Sequence, residues 1–141
     1  KGELAGFGRK LNWHADVQPH GGTLYTLNLW TPLDPCGFDR PGLQAALIGH
    51  EEAVALSGYD AATGSCLPSA RESFNQEGSV VERATKFAPI MQPGDIFVLS
   101  HWTPHSTFVT PEMKDTRMSV ELRLNSNEHC FPGGNKRPVY C

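Results

Sequence analysis

The sequence predicts one mainly β domain with few helices. Its 141 residues suit a single domain spanning residues 1–141, and 39% of them are hydrophobic, enough for one core. Along the chain, 14 glycines and 11 prolines separate short apolar runs, a distribution typical of many turns between strands. One run near the C-terminus alternates strictly between polar and apolar residues, as a half-buried strand does.

Composition argues against several classes of function. The formal net charge is −3 and the basic residues are scattered, so we expect no nucleic-acid binding. No apolar run reaches the length of about 18 residues that a membrane span needs, and no signal-peptide pattern is visible, so a cytoplasmic location without membrane contact is predicted. The cysteines lack any C-x-x-C pairing, which favours free thiols; a bridge between Cys130 and Cys141 stays open.

The first half of the chain contains three predicted strands and one helix. Residues 9–16 are predicted to form a strand that ends in Trp-His-Ala-Asp. Residues 23–33 (TLYTLNLWTPL) are rich in β-branched and aromatic side chains on both faces, so the sequence leaves open which face lies inward. A short apolar strand follows at 43–49, and then a helix at 50–56 with two glutamates in its first turn, where acids suit the helix dipole.

The second half begins with a segment that we interpret as an insertion or lid loop. Residues 57–92 are polar and rich in turns, and a long irregular stretch between two strands is often functional. Strands are predicted at 95–100, 105–109 and 117–124. The polar face of the last strand consists of Arg117, Ser119, Glu121 and Arg123. This face is solvated in a simple sheet, but in a closed barrel it lines the interior, where a buried arginine requires an anionic partner.

His14 and Asp16 are the first candidates for metal ligands. Positions i and i+2 of a strand share a face, so the imidazole and the carboxylate can reach one metal ion. Chance alone supplies about 0.6 His-x-acid pairs in a chain of this composition. A second pair occurs at His50 and Glu52, and these two with His105 form a rival ligand set, although i and i+2 do not share a helical face.

A third ligand is needed, and His101 and His105 both lie in the later strand region. Two imidazoles and one carboxylate leave positions open on the metal, the arrangement that non-haem Fe(II) oxygenases use. Where the co-substrate is a 2-oxo acid, an arginine suits its far carboxylate because the guanidinium can bind it bidentately. Arg117 follows His105 by twelve residues, and Arg123 competes for the same role.

Five motifs follow one another along the chain. They are W-H-A-D at 13–16, L-N-L-W-T-P-L-D at 27–34, P-G-L-Q-A-A-L-I-G-H at 41–50, P-G-D-I-F-V-L-S-H-W-T-P-H-S-T at 93–107 and R-M-S-V-E-L-R at 117–123. Their order resembles the phytanoyl-CoA dioxygenase family of Fe(II)- and 2-oxoglutarate-dependent oxygenases. The resemblance runs from about Trp13 to Arg123, with a gap through residues 57–90.

The resemblance implies a double-stranded β-helix, a cupin-like jelly-roll barrel with the metal at its mouth. It assigns the iron ligands as His14, Asp16 and His105. It assigns Arg117 to the far carboxylate of 2-oxoglutarate, with Thr107 and, more weakly, Ser119 as hydroxyl contacts. His105 is preferred to His101 because its distance from Asp95 matches the family better, and His101 becomes a packing or supporting histidine.

The resemblance further implies a dioxygenase that uses Fe(II), 2-oxoglutarate and O₂ to hydroxylate an unactivated C–H bond of a small-molecule substrate, with release of succinate and CO₂. Family members carry helices and strands before the His-x-Asp pair, so this chain is expected to lack those N-terminal elements. The alternative is a cupin-like barrel that binds a metal or a sugar without 2-oxoglutarate chemistry. The sequence does not predict the substrate or the oligomeric state.

Overall fold

The protein is described by a computed structural model that covers residues 10–16, 26–56, 58–60, 65–66 and 74–125. These residues form short strands and two short helices. The elements in chain order are β1 (Thr26–Pro32), β2 (Gly42–Leu47), α1 (His50–Leu56), β3 (Tyr59–Asp60), β4 (Ser65–Cys66), α2 (Val80–Arg83), β5 (Thr85–Phe87), β6 (Phe97–Ser100), β7 (His105–Phe108) and β8 (Ser119–Asn125). Of the helices in these ranges, none is long and apolar enough to span a membrane.

Two antiparallel sheets of three strands make up the body of the domain. Their strand orders are β6-β1-β8 and β5-β2-β7, so every neighbour within a sheet is distant along the chain. Leu27 of β1 lies opposite both Ser100 and Leu124, and Ala45 of β2 lies opposite both Phe87 and His105. Such crossover pairing between two facing sheets is the pattern of a jelly roll. The short strands β3 and β4 pair only with each other among the described strands.

The main core lies between the two sheets. Its buried members are Trp30, Cys36, Leu43, Ala45, Met91 and Leu99, with Phe97 packed against them. Because the cluster contains residues of β1, β2 and β6, it joins the inner faces of both sheets. Cys36, a buried free thiol, is tied to Met91 by two backbone hydrogen bonds of 2.9 and 3.0 Å. The bridge between Cys130 and Cys141, which the sequence left open beside the favoured free thiols, lies outside the described residues.

A second core covers the face of the β5-β2-β7 sheet that points away from the main core. Ala46 alternates with Ala45 and packs outward against Ala15, Phe74 and Val81. Val81 belongs to α2, which begins after Ser79, whose hydroxyl accepts a hydrogen bond of 3.1 Å from the Glu82 amide. The last part of the segment 57–92 is therefore built into the domain through α2 and β5. That the segment 57–92 acts as an insertion or lid stays a prediction.

The strand β8 turns its polar face toward the inside of the domain. The Arg117 side chain, just before the strand, lies over the ring of the buried Trp30, and Arg123 reaches Asp16. Leu122 and Leu124, on the opposite face, are 56% and 50% exposed. The structure thus places the polar face on the side of Trp30 and Asp16, and Ser119, Glu121 and Arg123 of this face are exposed to solvent. It also orients β1, because Asn28 and Trp30 are buried whereas Leu27 is exposed.

The other face of the β6-β1-β8 sheet, here called the outer face, is apolar and accessible. Its exposed residues are Leu27, Val98, Val120, Leu122 and Leu124. A contiguous apolar surface of this kind binds hydrophobic dyes and favours association. We expect ANS to fluoresce on the native protein, and Leu122→Lys together with Leu124→Lys to lower that fluorescence at least about twofold, with little loss of stability because both side chains are exposed.

Val109→Lys is a suitable control for this prediction. Val109 is an exposed apolar residue that follows β7 and belongs to neither sheet's strands. A lysine there adds one positive charge, half of what the double variant adds, and leaves the outer face intact. Equal losses of ANS fluorescence in the control and in the double variant would show that the dye does not bind this face.

Candidate metal centre

Residues 10–16 lie beside β7, where they form an isolated bridge at His14 in place of the predicted strand, and they bring two predicted ligands together. The backbones of His14 and His105 exchange hydrogen bonds of 3.0 and 2.8 Å, and the Thr107 amide donates to the Leu11 carbonyl at 3.0 Å. Ala15 packs into the second core, so His14 and Asp16 project to the opposite side. The shared face that the His-x-Asp spacing predicts is therefore present.

The side chains of His14, Asp16 and His105 form a compact cluster. One potential ligand atom from each lies within 4.8 Å of the other two, and no other group of three or more His, Cys, Asp or Glu residues has this spacing in the part of the chain that the structure describes. Nε2 of His14 is 3.9 Å from one carboxylate oxygen of Asp16, and Nε2 of His105 is 3.4 Å from the other. These distances leave room for one ion between the three residues.

Both imidazoles are oriented by backbone carbonyls. Nδ1 of His14 lies 2.7 Å from the Asn12 carbonyl oxygen, and Nδ1 of His105 lies 2.9 Å from that of Thr103. A carbonyl can only accept, so the proton resides on Nδ1 and each Nε2 presents a lone pair to the cluster. Burial lowers the pKa of His105 and keeps the ring neutral, the form that binds a metal. The donor set fits a divalent transition metal.

The Asp16 carboxylate has polar neighbours on both oxygens. The Asn28 amide donates to Oδ2, and Nη2 of Arg123 lies 3.2 Å from Oδ1. Arg123 is also paired with Glu121, whose Oε1 is 2.9 Å from both Nε and Nη2. The contact of Asn28 was not predicted from the sequence. A polar residue on an otherwise apolar strand was the signal that could have revealed it.

Arg117 occupies a separate position on the inner face. Its guanidinium lies 4.5 Å from the centre of the Trp30 ring, and Nη1 donates to the Ser119 hydroxyl at 2.6 Å. Nη2 is 3.4 Å from the Gly42 carbonyl oxygen, and Nε is buried without a partner. Burial lowers the pKa of Arg117, and within the described ranges no carboxylate forms an ion pair with it. A partly desolvated guanidinium of this kind is suited to bind an anion.

Thr107 lies in β7, which pairs with the strand that Arg117 contacts. It is opposite Leu43 in the sheet, one residue beyond the Gly42 that Arg117 contacts. Its Oγ1 accepts a hydrogen bond of 3.0 Å from the Leu11 amide, so the hydroxyl proton can still be donated. The structure therefore brings together Arg117 and Ser119, and it separates Arg117 from its competitor Arg123, which pairs with Asp16.

The remaining histidine candidates do not enter the cluster. His101 is buried beside Trp102, with Nδ1 3.0 Å from the Thr26 carbonyl oxygen, and its own carbonyl accepts from the Asp16 amide. The contact with Asp16 is made by the backbone and does not involve the imidazole, so the supporting role of His101 stays a prediction. His50 lies exposed in α1, the predicted helix, and the rival set with His105 forms no cluster.

The chain was compared with known proteins. A scan against models of protein families gives no match, and a search of curated proteins gives none either. Among solved structures it is similar to EctD from S. alaskensis, crystallised with 2-oxoglutarate and 5-hydroxyectoine, with a TM-score of 0.53 and 14% sequence identity. The match covers 86% of this chain and 40% of EctD, so the chain spans less than half of that protein.

This likeness establishes the fold. The predicted mainly β, cupin-like jelly roll with few helices is confirmed by the two facing sheets and by the similarity to EctD. The resemblance to the phytanoyl-CoA dioxygenase family stays a prediction, as does the absence of N-terminal family elements.

Proposed function

We propose that this chain is the catalytic barrel of a non-haem Fe(II)- and 2-oxoglutarate-dependent dioxygenase that hydroxylates an unactivated C–H bond of a small molecule. The observation that carries the proposal is the cluster of His14, Asp16 and His105 at the edge of a jelly roll. Two imidazoles and one carboxylate leave adjacent positions open on a metal, as O₂-activating Fe(II) sites require.

His14, Asp16 and His105 would hold the iron through two imidazole nitrogens and a carboxylate oxygen. When bound, Fe(II) would supply O₂ activation, coupled to conversion of 2-oxoglutarate to succinate and CO₂. The protein contributes the orientation of the ligands, since the Asn12 and Thr103 carbonyls set the tautomer and direction of the two rings. It also supplies a partly buried setting, in which electrostatic interactions are stronger than in water.

Arg117 is the proposed anchor for the far carboxylate of 2-oxoglutarate. The Trp30 ring beneath it and the Ser119 hydroxyl beside it hold the guanidinium plane in place. Thr107 can donate its hydroxyl proton to the same carboxylate. EctD, the structural neighbour, was crystallised with 2-oxoglutarate, which supports a co-substrate of this class for the present barrel.

The substrate is proposed as a small molecule of unspecified class. The similarity to EctD supports a small-molecule substrate. The compound 5-hydroxyectoine was crystallised with EctD and is not proposed for this chain. The absence of nucleic-acid and membrane partners and a cytoplasmic location stay predictions. A cupin-like metal or sugar binder that uses the same histidines is the alternative, and it assigns no anion to Arg117.

The test is anaerobic binding of Fe(II) and 2-oxoglutarate, followed by the weak visible charge-transfer band of the chelate. We expect the band when both are present and with neither alone. His14→Ala should abolish it, because one imidazole ligand is lost, whereas His50→Ala should leave it unchanged because that exposed residue lies outside the cluster. A protein without the band, or a band that survives in His14→Ala, would rule out this function.

A further inference from the structure

The Asp16 carboxylate has a nitrogen neighbour on each of its two oxygens. Asn28 donates to Oδ2 from the inner face of β1, and Arg123 contacts Oδ1 from β8. Both residues reach it because β1 and β8 are paired with Asn28 directly opposite Arg123. Two adjacent strands therefore place one donor on each oxygen of the same carboxylate.

The number of oxygens that Asp16 gives to a metal decides what else can bind there. A carboxylate can bind a metal through one oxygen or through both. An octahedral ion held by two imidazoles and one oxygen keeps half of its positions open, enough for a chelating 2-oxo acid and O₂. A carboxylate that chelates with both oxygens closes one of those positions.

We propose that Asn28 and Arg123 are positioning residues that make Asp16 bind the metal through a single oxygen. The inference rests on the proposed function, and it concerns how many positions on the metal stay open for the co-substrate. Arg123 occupies Oδ1, and its positive charge disfavours a second cation at that atom. Asn28 is neutral and its amide takes only one lone pair of Oδ2, so this oxygen can still bind the ion next to His105.

Glu121 keeps Arg123 in place without making the site too positive for a metal. Oε1 of Glu121 lies 2.9 Å from two nitrogens of Arg123, which fixes the plane of the guanidinium. Asp16, Glu121 and Arg123 together carry one net negative charge, so the group still attracts a divalent cation. The pair at 121 and 123 follows from the alternation of β8, which puts both side chains on its inner face.

The experiment replaces iron with Co(II), whose visible absorption reports coordination and which does not react with O₂ in this site. The variant is Arg123→Gln, which removes the charge but keeps a side chain of similar length. Three quantities are measured: the visible spectrum without co-substrate, the affinity for Co(II) by competition with a chelator, and the affinity of the Co(II) protein for 2-oxoglutarate. Arg40→Gln is the matched control, since Arg40 pairs with Asp34 and Asp115 instead.

In Arg123→Gln we expect a changed spectrum before co-substrate is added, Co(II) affinity that is retained or raised, and affinity for 2-oxoglutarate lowered by about 10-fold. Arg123→Lys, which keeps the cation, should recover most of that affinity. An unchanged spectrum, or equal losses of affinity for Co(II) and for 2-oxoglutarate, would overturn the positioning role. The proposed function would still stand. If the wild-type Co(II) protein does not bind 2-oxoglutarate, the proposed function fails and this inference fails with it.

Discussion

Arg117→Ala is expected to weaken binding of 2-oxoglutarate to the Fe(II) protein by about 100-fold, equivalent to about 3 kcal/mol. The guanidinium is partly desolvated and has no carboxylate partner among the described residues, so its charge is available to the co-substrate. Its removal leaves the far carboxylate of the bound acid without a counter-ion. The measurement is an anaerobic titration with 2-oxoglutarate, followed by the charge-transfer band or by calorimetry.

Two comparisons separate loss of the anchor from loss of the fold. Arg117→Lys keeps the charge but not the bidentate geometry, so an intermediate affinity is expected. The affinity for the metal alone should hardly change, because Arg117 contacts Trp30, Ser119 and Gly42 and none of the three ligands. If Arg117→Ala binds 2-oxoglutarate like the wild type, the cupin-like binder without this co-substrate becomes the better description.

Most strands and α1 could be predicted from local patterns. β-branched and aromatic enrichment located β1, and strict alternation located β8, each within a few residues of its observed limits. The region of α2 and β5 has no comparable local sequence pattern. Phe74 and Val81 are buried because they pack against Ala46 and Ala15, which are distant in sequence. Local hydrophobic periodicity does not predict such a contact.

The direction of β8 shows a second limit of sequence patterns. Strict alternation indicates that one face of a strand is polar and the other apolar, and the usual rule places the apolar face inward. Here Leu122 and Leu124 face outward, and Arg123 faces the candidate metal centre. Departures from the usual pattern are expected where a domain holds charges for binding, and only the pairing of β8 with β1 reveals this one.

The candidate site was predictable to the extent that it depends on short spacings. His14 and Asp16 share a face because they are two residues apart on extended backbone, and the family resemblance added His105 and Arg117. The contact of Asn28 and Arg123 with Asp16 depends on the register between β1 and β8. Register between distant strands is set by the whole sheet, so a single sequence does not show it.

Asp16→Ala is expected to lower the affinity for Fe(II) or Co(II) by about 100-fold, because it removes the only anionic ligand of the cluster. Metal affinity is measured by competition with a chelator in chloride-free buffer, since a halide could occupy the vacated position. Thermal unfolding gives an independent readout. A metal that binds only the folded state raises the unfolding temperature of the wild type, and this shift should largely disappear in the variant.

Asp34→Ala is the matched control for Asp16→Ala, because Asp34 is also partly buried and paired with an arginine, its Oδ1 lying 3.9 Å from Nη1 of Arg40. It lies outside the cluster and should leave metal affinity unchanged. Without metal, Asp16→Ala deprives Arg123 of one of its two anionic partners but leaves Glu121 in place. The metal-free variant should therefore stay folded, and wild-type affinity in a folded Asp16→Ala protein would mean that the metal binds elsewhere.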